Sequence, residues 1–248
     1  VAGTIFAYFS ILIISFGDFS RYVKSEQELK KGNLSLILNL IIFSFLSVFI
    51  VTGSDVFLNQ KFSDIDRIFT NPTDIVGKFD NIEITIVVLF FIIIASASTN
   101  LVANFIPSQY SLINFAPSIL SLKSASYLIA FFGLLIAIFW LTILSQIGIL
   151  SFVDTFGAFF GPLFGVMAAD YYLIKNQELS NKDLYSIDKE SAYYYSGGWH
   201  IKGVYSLILG FIFSASTIWN TNLMFLQSYA WIIGAFVAWI TYYLLAKK

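Results

Sequence analysis

Residues 81–106 read NIEITIVVLFFIIIASASTNLVANFI, and this stretch decides the fold. From Ile82 to Ile94 it carries one charge, Glu83, and one hydroxyl, Thr85. No polar face returns every third or fourth residue, as a helix on a soluble core requires. The run is as long as a bilayer crossing, about 20 residues. Six more apolar segments of this kind occupy 1–17, 33–53, 124–146, 148–174, 203–219 and 225–246. The expected fold class is therefore an all-α membrane protein with about seven transmembrane segments, residues 1–248 forming a single transmembrane domain. Composition agrees. Hydrophobic types make up 58% of the chain and charged types 12%, with a mean hydropathy of +0.79. Soluble domains carry roughly 25% charged residues.

Local signals set the expected helix limits. Asp80-Asn81-Ile82-Glu83 has the pattern of a capping box, with Asp in place of Ser or Thr, and Pro107 is expected to stop the same helix. The basic run Lys30-Lys31-Gly32 precedes the segment at 33–53. Segments 124–146 and 148–174 are so close that they must form a tight hairpin. Asn71-Pro72-Thr73-Asp74 reads as an N-cap, a proline at the first helical position and an early acid. It should open a short helix at the membrane surface, with Ile75, Val76 and Phe79 on its apolar face. Tyr171, Tyr172, Tyr193 to Tyr195, Trp199, Trp219, Tyr242 and Tyr243 fall near segment ends, where aromatic rings with a polar edge anchor in the headgroup zone.

Lysine and arginine fix the expected orientation. Arg21, Lys24, Lys30, Lys31, Lys123, Lys175, Lys182, Lys189, Lys202, Lys247 and Lys248 fall on one side, and Lys61, Arg67 and Lys78 on the other. The C-terminus is expected to be cytoplasmic, in the cell (inner) membrane, and Val1 to lie outside. Residues 1–17 have no basic leader and no small-residue cleavage site, so they read as a spanning helix rather than a signal peptide. The expectation is that the sequence starts within that helix and is the C-terminal portion of a longer protein.

Several function classes are excluded. A net charge of −1 gives no footing for nucleic acid, and the absence of cysteine removes disulfides, thiolate metal sites and cysteine nucleophiles. The single histidine, His200, is in a loop, so no Ser/His/Asp set fits within the spans. No paired carboxylates share a depth and no Walker A sequence is present. No enzyme activity and no cofactor are expected.

Polar residues inside the spans carry the chemical signal. Ala95, Ser98 and Thr99 stand at i, i+3 and i+4 and share a helix face. Two hydroxyls and nearby carbonyls are hard ligands suited to a small cation such as Na⁺. Asn104, about one and a half turns on, carries an amide able to donate to and accept from a heterocycle. The same residues also suit helix–helix packing, where Ser, Thr and Asn act as glue. Gly157, Gly161 and Gly165, continued by Ala169, form a small-residue stripe that reads as a packing face, with Pro162 interrupting one backbone bond. Asp154 is expected at an interface and Asp170 as a solvated or loop-capping acid. Asn39 and Gln146 read as structural.

Four stretches resemble the nucleobase–cation symporter-1 family, whose members carry nucleobases, hydantoins, allantoin and related heterocycles. They are Asp18-Phe19-Ser20-Arg21-Tyr22-Val23-Lys24-Ser25, Ser98-Thr99-Asn100-Leu101-Val102-Ala103-Asn104, residues 161–173 (GPLFGVMAADYYL), and Asp183-Leu184-Tyr185 followed by Gly198-Trp199. They stand in the family's order and spacing. The resemblance implies a LeuT-type helical bundle, of which this chain supplies helices six to twelve: the second inverted repeat plus two C-terminal helices. The missing N-terminal helices of the same transporter would hold half of a binding site near mid-membrane. The implied function is secondary active import of a nucleobase or related heterocycle by cation symport, coupled to Na⁺. The alternatives are proton coupling on the same fold, or a membrane subunit that does not transport alone. By the same resemblance Ala95 (through its carbonyl), Ser98 and Thr99 are ion ligands, and Asn104 contacts substrate. Phe9 takes the position of the aromatic residue that stacks on the substrate ring. That aromatic is often tryptophan and usually follows a glycine, whereas here Ala7 and Tyr8 precede Phe9. The family's NIPDF reads Ser15-Phe16-Gly17-Asp18-Phe19.

Overall fold

The computed structural model describes residues 2–61, 72–78, 81–142, 149–184, 186 and 188–247, and the described residues contain helices and no β-strand. Six stretches are long and apolar enough to cross a membrane: Glu26–Phe57, Ile82–Phe115, Leu122–Trp140, Phe152–Ile174, Ile201–Trp219 and Thr221–Ala246. The first segment forms a shorter apolar helix, α1 (Ala2–Ile14). The expected all-α membrane fold is thus present, and each apolar segment coincides with a helix. Gln146, Asn71, Phe79 and Asp80 lie outside the described residues.

The chain divides into two compact units, Val1–Phe16 with Ala130–Lys248, and Gly17–Ile129. The first unit is built on α8 (Ile149–Ala169), α10 (Ile201–Trp219) and α11 (Ala230–Ala246), which pack on one another, with α1 against α8. The glycine stripe explains why they can. A Cβ on Gly161 would stand 2.3 Å from the Trp231 carbonyl oxygen, and one on Gly165 only 2.0 Å from that of Ala235. On Gly157 it would stand 2.4 Å from the Ala7 Cβ. The stripe is a packing face, as its spacing implies, and Ala169 at its end is fully buried. The helix continues through Pro162, whose buried ring lies against Gly210 and Gly234 of the two neighbouring helices. Ser214 Oγ donates to the Ala230 carbonyl at 2.6 Å, tying α10 to α11. The Trp140 ring of α7 (Leu122–Thr142) lies 5.6 Å from that of Phe152 on α8, edge to face, while the tight hairpin expected between these segments falls on residues 143–148, outside the described residues.

Two acids in this unit make contacts that sequence spacing does not announce. Asp154 is buried and accepts from Gln227 Nε2 at 2.9 Å, so it closes an internal contact with the 3₁₀ segment Thr221–Tyr229. Asp170 opens a π-helical turn, Asp170–Ile174, and accepts from Tyr242 Oη at 2.6 Å. Asp170 stays partly exposed while Tyr242 of α11 donates to one of its carboxylate oxygens.

The second unit contains α2 (Phe16–Ser20) from Gly17 on, α3 (Glu26–Lys61), α4 (Pro72–Val76), α5 (Ile82–Asn100) and α6 (Ile106–Phe115). Helix α3 starts seven residues before the expected segment, because Glu26 and Lys30 pair at 2.7 Å one turn apart and carry the helix through the basic run. Asn39 donates to the Ser35 carbonyl at 2.8 Å and is satisfied within its own helix. Proline does open α4, which packs on α5 and buries Ile75 and Val76. The N-cap of α5 is Asn81. Its side chain accepts from Glu83 N at 3.0 Å and Ile84 N at 3.1 Å. No residue of α5 is buried.

Pro107 does not end this helix. A π-helical turn, Leu101–Phe105, follows α5, and α6 continues from it to Phe115. The turn closes with Ile106 N–H on the Leu101 carbonyl. A π-turn widens the ring of backbone bonds by one residue, and the proline falls directly after it, within the first turn of α6, where a missing N–H and a fixed φ are tolerated.

Candidate substrate and ion site

The polar face of 81–106 lies where α5 passes into the π-turn. Ser98 Oγ donates to the Ala95 carbonyl at 3.0 Å. Two of the expected ion-ligand oxygens therefore already sit side by side. Thr99 Oγ1, one residue on, has no hydrogen-bond partner among the described residues, and all three residues are exposed.

Asn104 lies inside the π-turn. Its Nδ2 donates to Asn100 Oδ1 at 2.6 Å, and Asn100 Nδ2 donates to the Ser96 carbonyl at 2.9 Å. One turn beyond, Ser108 Oγ donates to the Asn104 carbonyl at 2.6 Å. Ser96, Asn100, Asn104 and Ser108 thus form a ladder of polar groups at i+4 steps. Asn100 orients Asn104 by accepting one amide hydrogen, which leaves the Asn104 side-chain oxygen and the second hydrogen for a ligand. Neither the role of Asn100 nor the ladder is predicted from the sequence, where Asn100 stands only as one member of the Ser98–Asn104 stretch. The i+4 spacing was the available signal, but the π-turn breaks the helical count there. Single π-turns in α-helices recur at functional sites.

The DFSRY stretch supports the same helix. Arg21 pairs with Asp18 at 2.9 Å, and its guanidinium lies 4.4 Å over the Tyr110 ring of α6. Tyr22 Oη also meets Tyr110 Oη, and this hydrogen bond raises the Tyr22 pKa above the ordinary tyrosine value. The motif therefore ties the loop after α2 to the helix that continues the polar ladder.

Phe9 belongs to the other unit. It lies on α1, half-buried, with its ring 5.3 Å from Tyr8 in an edge-to-face arrangement. Its neighbours Ala7 and Ser10 are buried, and Ser10 Oγ donates to the Phe6 carbonyl at 2.7 Å. The structure brings Ala95 and Ser98 into contact and places Thr99 and Asn104 on the same continuous helix. Phe9 is carried separately. Among the described residues no three His, Cys, Asp or Glu side chains cluster as a metal site.

Comparison with known proteins gives the family of the chain. Residues 1–244 match the family model described as a permease for cytosine/purines, uracil, thiamine, allantoin. The chain is 28% identical to the allantoin permease of Bacillus subtilis (strain 168) over 244 residues, covering 98% of this chain and 48% of that protein. It is 26% identical to the purine-uracil permease NCS1 of Arabidopsis thaliana, covering 98% of this chain and 41% of the relative. It is also 26% identical to the putative allantoin permease of Escherichia coli (strain K12), covering all of this chain and 50% of the relative. No solved structure matches it significantly. The chain spans about half the length of these curated relatives. With the match running over nearly every residue, the chain is an integral membrane protein of the family of permeases for cytosine and purines, uracil, thiamine and allantoin, a family of transporters rather than enzymes.

Proposed function

We propose that this chain forms the C-terminal part of a secondary active transporter that imports a nucleobase or a related small heterocycle, such as allantoin or a hydantoin, together with Na⁺. The observation that carries this reading is the exposed polar face from Ala95 to Asn104, set in a span and interrupted by a π-turn. Polar groups at membrane depth face the bundle interior or a wet cavity. In this reading the Ala95 carbonyl and the Ser98 and Thr99 hydroxyls hold the ion. Asn104 reads the hydrogen-bonding edge of the substrate and Phe9 stacks on its face. Alternating access follows from ion and substrate binding one conformation better than the other. The excess of Lys and Arg on the side of the C-terminus supports a cytoplasmic C-terminus.

The test is uptake of labelled allantoin, uracil and hydantoin by cells expressing this chain together with the N-terminal half of a family member. Replacing Na⁺ with choline should abolish uptake, and unchanged uptake would leave the proton-coupled alternative. A second reading follows from the share of the relatives that the chain spans, about half. Expressed alone it should be a membrane subunit that transports nothing. Robust uptake by the chain alone would overturn its dependence on a further set of helices.

A further inference from the structure

At the end of the α8–α10–α11 bundle, a second cluster stands apart from the polar ladder. Tyr242, almost fully buried, donates its only hydroxyl proton to Asp170. The 2.7 Å contact between Tyr242 Oη and His200 Nε2 must then have the imidazole as donor. Burial pushes the His200 pKa below its ordinary value, so the ring is neutral at pH 7. Tyr195 stacks on it, with ring centroids 3.9 Å apart. Tyr195 holds φ at +50°, a conformation that a bulky side chain adopts only where its surroundings impose it.

These groups wall a cavity of about 230 Å³, whose lining also includes Lys175, Lys202 and Trp199. A water occupies roughly 30 Å³, so the space is several waters large. It sits where three spans end, at Ile174, Ile201 and Ala246, which is headgroup depth in a bilayer. Neither lysine has an ion pair among the described residues; Lys175 instead lies 4.6 Å over the Tyr193 ring. Two lysines against the one carboxylate of Asp170 leave the lining with net positive charge. Trp199 at the rim is 68% exposed, as an interfacial anchor is.

We propose that this cavity seats the phosphate of an anionic phospholipid headgroup, with Lys175 and Lys202 as its cationic partners. The Asp170–Tyr242–His200 chain fixes the cavity wall, and Tyr195, stacked on His200, lines it. This assignment is independent of the transported substrate.

The test is native mass spectrometry of the full chain in detergent, titrated with phosphatidylglycerol or phosphatidylcholine. Phosphatidylglycerol should be retained preferentially. Lys175→Gln with Lys202→Gln should weaken its retention roughly 30-fold, while Lys175→Arg with Lys202→Arg should preserve it. Equal retention of the two lipids, or a preference that survives the double glutamine variant, overturns the proposal. Displacement of the lipid by an equal concentration of inorganic phosphate reassigns the site to a free anion and overturns the lipid source. A photoactivatable phosphatidylglycerol on the unaltered chain gives a readout that needs no variant. It should label residues 195–202, and labelling spread evenly along the spans overturns the site.

Discussion

Helices α8 and α5 are both apolar, both close to 20 residues long, and both carry rows of small residues, yet they end in opposite situations. On α8 the row is glycine and alanine, and neighbouring backbones fill the space a side chain would take. On α5 the row is Ala95, Ser98 and Thr99, and no residue of the helix is buried. The difference lies in what a small residue leaves behind. Glycine leaves room that a backbone enters and seals. Serine and threonine leave room but keep an oxygen in it, which favours a site that stays open to a polar guest.

The largest effect should come from filling the sealed row. Gly165→Leu would force a side chain into the Ala235 carbonyl, which cannot retreat without moving α11. We expect a loss of about 3 kcal/mol or more, read as a collapse of the thermal transition followed by tryptophan fluorescence in detergent. If Gly165→Leu unfolds like the parent, the packing contrast fails. On the open row, Asn104→Ala should leave the thermal transition within about 0.5 kcal/mol. It should weaken heterocycle binding roughly tenfold in the assembled transporter, equivalent to one or two hydrogen bonds. Unchanged substrate affinity by direct titration would remove Asn104 from the site. Thr99→Ala should be as benign to stability and should raise the Na⁺ concentration for half-maximal uptake several-fold. A wild-type sodium dependence would return the hydroxyl to a packing role.

The smallest expected effect concerns pH and belongs to the packed unit. Burial lowers the His200 pKa, against the attraction of Asp170 and with the help of Lys175 and Lys202, while Tyr195 and Tyr242 face the ring as neutral partners. A depressed histidine pKa means the unfolded chain binds the proton more readily. This contribution is therefore complete above the unfolded pKa of about 6.5 and declines as pH falls below it. The melting temperature should drop modestly between pH 7.5 and 5.5, and His200→Asn should flatten that drop. An unchanged slope in the variant would show that other groups set it.

Much of the fold was legible because the bilayer imposes a length and a composition that hold along the chain. Each apolar run became a helix, and the glycine period announced its contact. The misses share a cause: each depended on groups far away in sequence or on a local change of pitch. Pro107 reads as a stop because proline lacks the N–H of an α-helical bond and crowds the preceding turn; the π-turn before it eases that conflict, whereas Pro162 is carried inside α8. The bond from Tyr242 to Asp170 spans 72 residues and is invisible to spacing. At the site, the three residues on one face of α5 were legible from a helical wheel. Asn100 was not, since the ladder it belongs to runs across the change of pitch.

That change of pitch has a mechanical meaning. A π-turn accommodates one residue more than an α-turn, and one residue corresponds to about 100° of rotation. The span 82–115 therefore has two angular phases, one before Leu101 and one after Phe105. Tyr110 meets Arg21 and Tyr22 in the second phase only. Deleting a single residue between 101 and 105 would leave the helix long enough to cross the bilayer but would swing Tyr110 away from both partners, so the clamp and the ladder are timed by one surplus residue.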